Sequence, residues 1–358
     1  MGPQTVYWPE SAQQKWCVPA RRFVHPQPIR GKIMSRLLAF FMFSLIVTVA
    51  SAAQDQDLAR DYPNKPIRIV AGFSAGSTVD ILARLSGQKM TEIWGQPVIV
   101  DNRPSAGGII AATAVARANP DGYTLLSVSA GHAVSAALYT KLPYDTLKDF
   151  SGITRFANVP SILIVSPGLG IKSVKDLVAM AKAKPGTLNY SSPGIGSANH
   201  LAGELFKNLA GIDVAHIPFK GIPEAMTAAI TGQVTFNLSP IVNVLPQAKA
   251  GKVIALATTT GKRASALPNV PTLAEAGVTG YVFDPWFGLL TTAKTPKTII
   301  NKLNREILRI MELPDVRERL ASLGAEPATT TPGQFDDHIR QEIGKFRKII
   351  QTAGIRVD

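Results

Sequence analysis

The chain of 358 residues contains one cysteine, Cys17, and that residue lies upstream of the segment that reads as the mature protein. The mature part therefore has no thiol for a disulfide, for a thiolate metal site or for a lipid anchor at the cleavage position. Histidine is scarce, five in all, and neither His132 nor His200 has an acidic partner at metal-ligand spacing. There is no nucleophile elbow of the G-x-S-x-G type. The residue order of a dinucleotide fingerprint, or of a phosphate loop with its lysine, is missing too. Internal repeats and low-complexity tracts are absent. No metal, no cofactor and no catalytic residue is expected.

What is present begins with a leader. Met34 opens a stretch whose only charge is Arg36; the apolar run Leu37 to Ala50 follows, then Ala50-Ser51-Ala52 and the polar Ala53-Gln54-Asp55. A basic start, a short apolar segment and a small-residue cleavage site make a secretory signal peptide, predicted to be cut after Ala52. The apolar run, about 14 residues, is shorter than the roughly 20 that span a bilayer. Residues 1–33 precede the plausible initiator Met34 and read as an upstream extension.

Removing residues 1–52 takes away six Lys/Arg and one acidic residue, leaving 32 basic against 24 acidic side chains and a net charge of +8. The surplus alternates with acids along the C-terminal helices, as in Arg305, Glu306, Arg309 and Glu312. Interleaved signs of this kind are solvated helix faces, not a nucleic-acid stripe. A modest positive field still favours capture of anionic ligands.

Short β-branched runs alternate with segments of helical period. Strands are predicted at Ile67 to Ala71, Val98 to Asp101, Thr124 to Ser127, Ser161 to Val165, Leu188 to Ser191, Thr235 to Leu238, Val253 to Thr258 and Phe287 to Leu290. Helices are predicted at Ile81 to Trp94, Ile109 to Ala118, Val174 to Ala183, Ala198 to Leu209 and Pro223 to Thr231 and, after Pro296, as a tail of three helices, Lys297 to Met311, Asp315 to Leu323 and Pro332 to Thr352, with no strand among them. This is an α/β pattern with mainly parallel sheets. Two crossings, near Arg155 to Pro160 and near Asp284 to Trp286, divide it into one lobe of residues 53–158 with 285–358 and another of 159–284. The cleft between such lobes is the natural ligand site.

Two strand-to-helix turns, Phe73 to Asp80 (FSAGSTVD) and Ser191 to His200 (SSPGIGSANH), carry glycine and hydroxyl residues where a helix begins. Such turns present backbone N–H groups at the positive end of a helix and can hold a carboxylate or phosphate. A third loop, Ser127 to His132, has the same composition. Ser77 three residues before Asp80 also resembles a capping box, which is the plainer reading of that turn. Asp80 reads as a cap, because a carboxylate beside an anion repels it. Phe73 and Trp286 are each either core or pocket wall. Lys220 reads as a surface lysine, and Asn237, polar inside an apolar strand, needs a partner that a cleft-facing amide would supply.

These residues carry a resemblance. The segments YPNKPIRIVAGFSAGSTVDILAR from Tyr62, DNRPSAGGIIA from Asp101, NPDGYTLL from Asn119, KLPYDTLKDF from Lys141 and NYSSPGIGSANHLAGELF from Asn189 resemble the Bug (Bordetella uptake gene) family, the solute receptors of tripartite tricarboxylate transporters. IPFKG from Ile217, LPNVPTLAEAG from Leu267 and WFGLLTTAKTP from Trp286 continue the match, which covers Tyr62 to Gly354. The resemblance implies a two-lobed, type II-like periplasmic binding protein with two crossover segments and a helical C-terminal tail. It implies a monomer that captures a small carboxylate solute by cleft closure and passes it to the membrane subunits of a tripartite transporter. Carried onto this chain, the ligand contacts are Phe73, Ser74, Ala75, Gly76, Ser77 and Thr78, then Ser129 and His132, then Ser192, Gly194, Gly196 and Ser197, with Asn237 facing the distal part of the ligand. Two departures stand out. Gly72 replaces the usual proline, and Gly76-Ser77 replaces a Gly-Gly pair, while Asn237 stands where an acidic residue often occurs. A sensory co-receptor and a secreted enzyme using His132 or His200 are the alternatives.

Overall fold

The run IRIVA alternates poorly but is β-branched and almost wholly apolar, which suits a strand covered on both faces, and it forms β1 (Ile67–Ala71). The computed structural model describes Gly2, residues 59–352 and Ile355; the leader, its cleavage site and Cys17 lie outside the described residues. Around β1 a six-stranded sheet is built from β2 (Val98–Asn102), β3 (Thr124–Ser129), β4 (Phe150–Asn158), β10 (Trp286–Thr292) and β11 (Glu326–Pro327), in the order β11-β4-β10-β3-β1-β2. A five-stranded sheet holds β5 (Ser161–Val165), β6 (Asn189–Ser192), β7 (Ala215–Pro218), β8 (Phe236–Pro240) and β9 (Ile254–Thr258), in the order β7-β6-β8-β5-β9.

Both sheets are mixed, which corrects the expectation of mainly parallel pairing. β1 runs parallel to β2 and β3, and β6 parallel to β7 and β8. The strands nearest the links between the sheets pair antiparallel: β10 with β3 and β4, β5 with β8 and β9. A chain that leaves one sheet and later re-enters it brings the returning strand in from the far end, so its direction opposes its neighbours.

Passage from the first sheet to the second takes only Val159 and Pro160, and return runs from Thr258 to Trp286. The two passages lie side by side, with the Val159 N–H donating to Pro285 O at 3.1 Å. The tail was expected to be free of strand and is not, because Glu326 and Pro327 pair with Asn158 and Ala157. Its helices are α8 (Lys297–Glu312), α9 (Pro314–Ser322) and α10 (Pro332–Thr352). Along α8 the buried Ile299, Ile300, Leu303, Ile307 and Ile310 repeat at helical spacing, each stabilising the packing by roughly 1.5–3 kcal/mol. Trp286 is core, 1% exposed, its indole N–H donating to Glu342 of α10 at 3.3 Å and its ring edge-on to Phe335.

The remaining helices are α1 (Thr78–Trp94), α2 (Ile109–Ala116), α3 (Gly131–Leu138), α4 (Val174–Ala183), α5 (Ala198–Ala210), α6 (Ile222–Ile230) and α7 (Ile241–Lys249). Among the described residues no helix is long and apolar enough to cross a membrane.

Candidate functional site

The turn into α1 and the turn into α5 are built on one plan. In the first, the Ser77 N–H donates to Ser74 O at 3.1 Å, Gly76 sits at φ +78°, and Ser77 Oγ accepts the Asp80 N–H at 3.4 Å. In the second, the Ser197 N–H donates to Gly194 O at 3.2 Å, Gly196 sits at φ +77°, and Ser197 Oγ accepts the His200 N–H at 3.1 Å. The left-handed angle at both glycines is one that a side chain would strain. Each turn is closed by the residue three beyond its serine: the Gly76 N–H donates to Asp80 Oδ2 at 2.9 Å, the Gly196 N–H to His200 Nδ1 at 3.4 Å.

Those bonds change which amides can receive an anion. The glycine and serine N–H groups of both turns are taken. The first two helical residues, Thr78 and Val79 in α1 and Ala198 and Asn199 in α5, have N–H groups with no intrahelical acceptor by the geometry of a helix start. Ser77, Val79, Ser197, Ala198 and Asn199 line one cavity together with Phe73, Ser129 and Phe287. Its volume is about 20 Å³, room for about one water molecule.

Contacts between the two sheet units close the rim of this cavity. The Ser74 hydroxyl donates to Glu224 Oε1 at 3.2 Å, the Thr78 hydroxyl to Asn243 Oδ1 at 2.9 Å, and the Asn243 amide to Gly76 O at 3.0 Å. On the other side the Ser135 hydroxyl donates to Gly196 O at 3.4 Å. Neither Asn243 nor Ser135 stood out in the sequence, although Asn243 interrupts the apolar stretch Ile241 to Leu245 much as Asn237 interrupts its strand.

The expected contact residues separate into three groups. Phe73, Ser77, Ser129 and Ser197 line the cavity, while Thr78 and Gly196 flank it within the turns. Ser74, Ala75 and Gly76 form the outer rim, and Gly194 and Ser192 hold the second turn from beneath, the Ser192 hydroxyl accepting the Gly194 N–H at 3.2 Å. His132 and Asn237 are not brought to the cavity. The His132 ring is 5% exposed, stacked on Tyr144 and edge-on to Phe150, and burial pushes it down to about 4. Asn237 is fully buried in β8, where its amide donates to Ser191 O at 3.0 Å and Ser191 Oγ at 2.8 Å, and its carbonyl accepts from Ser239. The sheet itself supplies the partner that a cleft was expected to provide. Lys220 is exposed, as expected of a surface lysine.

The electrostatics of the two turns differ. Burial alone would raise Asp80, but hydrogen bonds from Arg84, the Gly76 N–H and Asn102 outweigh it and hold the carboxyl below its ordinary range. His200 is lowered by burial, and so is His216, which burial, the neighbouring His200 and Lys207 push down to about 3. Gly72, where a proline was usual, packs on Gly108 so closely that a Cβ there would stand 2.6 Å from the Gly108 Cα. A larger cleft, about 560 Å³, lies behind the links between the sheets and shares only Pro285 with the cavity. Its walls carry both signs, Arg155 and Lys262 against Asp284 and Glu342. Among the described residues no group of three or more His, Cys, Asp or Glu is placed to hold a metal ion.

Comparison with known proteins decides the lineage. Residues 82–355 match the tripartite tricarboxylate transporter family receptor. This chain belongs to that family. Solved structures similar to the receptor include R. palustris Rpa4515 with adipate, 35% identical with a TM-score of 0.81, covering 83% of this chain and 99% of that one. The periplasmic binding protein BugD is 31% identical, TM-score 0.79, covering 82% and 99%. MatC from Rhodopseudomonas palustris with bound malate is 32% identical, TM-score 0.77, covering 81% and 100%. The fold of the receptor is thus the two-sheet α/β fold of periplasmic binding proteins, and the family and its solved neighbours are solute-binding receptors, not enzymes.

Proposed function

We propose that this receptor captures a small carboxylate-bearing solute between the turns that open α1 and α5, in the periplasm, and delivers it to the membrane subunits of a tripartite transporter. The observation that carries the reading is the convergence of two glycine-serine helix starts, one from each sheet unit, on a single cavity. Two positive helix ends facing one space favour an anion without a cationic side chain. Adipate and malate in the solved relatives are both carboxylates of modest size.

Residues 53–158 with 285–358 then act as one lobe and 159–284 as the other, hinged at the paired links. The cavity holds about one water, so a solute enters when the lobes part and the rim bonds of Ser74, Thr78 and Asn243 break. Phe73, Ser77, Thr78, Ser129, Gly196 and Ser197 surround it, with Ser74, Ala75 and Gly76 at the mouth and Ser192 and Gly194 supporting the second turn. Asn237 and His132 serve the fold, not the solute.

Thermal-shift screening against mono-, di- and tricarboxylates tests this. A solute present at one hundred times its dissociation constant stabilises the protein by about 2.7 kcal/mol. Gly76→Asp should abolish the shift while Gly76→Ala, which carries the same backbone strain without the charge, keeps part of it; a Cβ at this position meets nothing closer than Pro223 at 3.8 Å. An undiminished shift in Gly76→Asp would count against the paired turns as the site.

A further inference from the structure

The cleft of about 560 Å³ lies on the far side of the links from the small cavity, and both links line it, one through Asn158 and Pro160, the other through Asp284 and Pro285. Its two walls belong to different sheet units. One carries Arg155 of β4, Glu326 of β11 and, from α10, His338, Glu342 and Lys345; the other is the loop after β9, Thr260 to Ala264. That loop is pinned to its own unit. The Thr260 hydroxyl donates to Lys262 O at 2.6 Å, and Arg263 donates from Nε to Glu275 at 2.9 Å and from Nη1 to Pro268 O at 3.2 Å.

Some of the charges are spent within one wall. Glu342 accepts the Trp286 indole N–H and lies 3.4 Å from Lys345 Nζ, while Arg263 is held by Glu275. His338, pushed down to about 4 by burial first and then by Arg155 and Lys345, is uncharged at neutral pH. Four charges remain. Among the described residues Lys262, Asp284 and Glu326 form no ion pair and stand exposed, and the Arg155 side chain donates only from Nε, to Ala328 O at 3.1 Å. Burial opposes the Arg155 charge and draws it below the usual arginine range, with Glu342 acting the other way. Sorted by sheet unit, the first offers one cation and one carboxylate, Arg155 and Glu326, and the second offers Lys262 and Asp284. So balanced a set selects no ligand of either sign; each wall complements the other.

Two spaces on opposite sides of one hinge change width in opposite senses. In this structure the rim bonds of Ser74, Thr78 and Asn243 hold the cavity shut, and the cleft behind the links stands wide. Parting the lobes at the rim narrows that cleft and carries Lys262 and Asp284 toward Glu326 and Arg155. Resting on the reading that the lobes hinge at the paired links, we infer that these four residues form an electrostatic latch that engages only in the open receptor, Lys262 with Glu326 and Asp284 with Arg155. The latch opposes the rim bonds, so that the empty receptor does not stay shut against its solute. Each exposed pair moves the open-to-closed ratio by up to about fivefold, comparable with the effect of a rim hydrogen bond.

X-ray scattering of the solute-free receptor reads the latch directly. The wild type should have a larger radius of gyration in about 0.01 M salt than in about 1 M, where the screening length falls from about 30 Å to about 3 Å. Lys262→Glu and Glu326→Lys each set like charges across the cleft and should be compact even at low salt. The double variant Lys262→Glu/Glu326→Lys restores an opposite pair and should regain the expanded, salt-sensitive form. Wild-type radii in both single variants, or a double variant no more expanded than the singles, overturn the latch. Asn243→Ala, which weakens the rim, shows which premise failed. If it expands the receptor while the charge variants do not, the lobes hinge and the latch is wrong; if no variant and no salt alters the radius, the hinge reading falls and the latch with it. No solute is present in these measurements, so the carboxylate reading stands or falls apart from them.

Discussion

Acid should loosen this protein through His132 before its carboxylates titrate. The ring is enclosed by Tyr144 at 5.8 Å and Phe150 at 5.1 Å between centroids, and its Nε2 has no partner among the described residues. Burial disfavours the charged ring, so it is pushed down to about 4 from its ordinary 6.5. The sign follows directly. Between those values the unfolded chain binds the proton and the folded one does not, so stability is whole above pH 6.5 and falls as the pH drops toward 4, at about 1.4 kcal/mol per pH unit. From pH 7.5 to 4.5 this one group accounts for about 2.5 kcal/mol, a large share of a typical stability of about 5–15 kcal/mol. His132→Phe keeps a ring against the same two aromatics and removes the titration. Urea unfolding followed by the fluorescence of Trp94 and Trp286 at both pH values should show the variant losing about 2.5 kcal/mol less than the wild type. His216 and His338, held near 3 and near 4 by burial first, then by His200 and Lys207 for the one and by Arg155 and Lys345 for the other, leave a residual acid loss in both proteins. Parallel losses in wild type and variant would refute the reasoning, since the ring would then be titrating in the fold as it does in water.

Asn243→Ala removes the donor to Gly76 O and the acceptor for the Thr78 hydroxyl, about 1–2 kcal/mol of contact between the sheet units; ligand-free scattering should show a larger radius of gyration, and an unchanged radius would mean these bonds do not hold the rim. Asn237→Ala leaves the buried Ser239 hydroxyl without its acceptor and takes two accepted bonds from Ser191, whose hydroxyl keeps its bond to Ala225 O, and should lower unfolding stability by about 1–3 kcal/mol with carboxylate affinity of the folded protein unchanged; a selective loss of affinity would put Asn237 back in the site.

Local pattern was enough wherever an element carries its own signal. β1 and β5 and the helices α4 and α10 fall at the bounds predicted from the sequence, because a β-branched run or an apolar stripe between caps specifies them without help. β4 was missed: FSGITRFAN mixes Ser151, Thr154 and Arg155 with apolar residues, and its pairing with β10, more than a hundred residues away, shifts register at two places. α7 was missed because Pro246 lies inside it, and α3 because its small residues carry little amphipathic contrast. The glycine-serine turns were legible as helix starts. Which of their amides are spent was not, since that depends on side chains three residues on folding back over the turn.

The sequence by itself determined the family, the alternation of strands and helices, and the two capped turns, because each is a matter of residues near one another along the chain. Only the tertiary structure decided that the turns meet across one cavity, that Asn243 bridges its rim, and that His132 and Asn237 turn away into aromatic packing and sheet. Those outcomes depend on which distant surfaces come together, and a buried polar group takes whatever partner the packing leaves within reach.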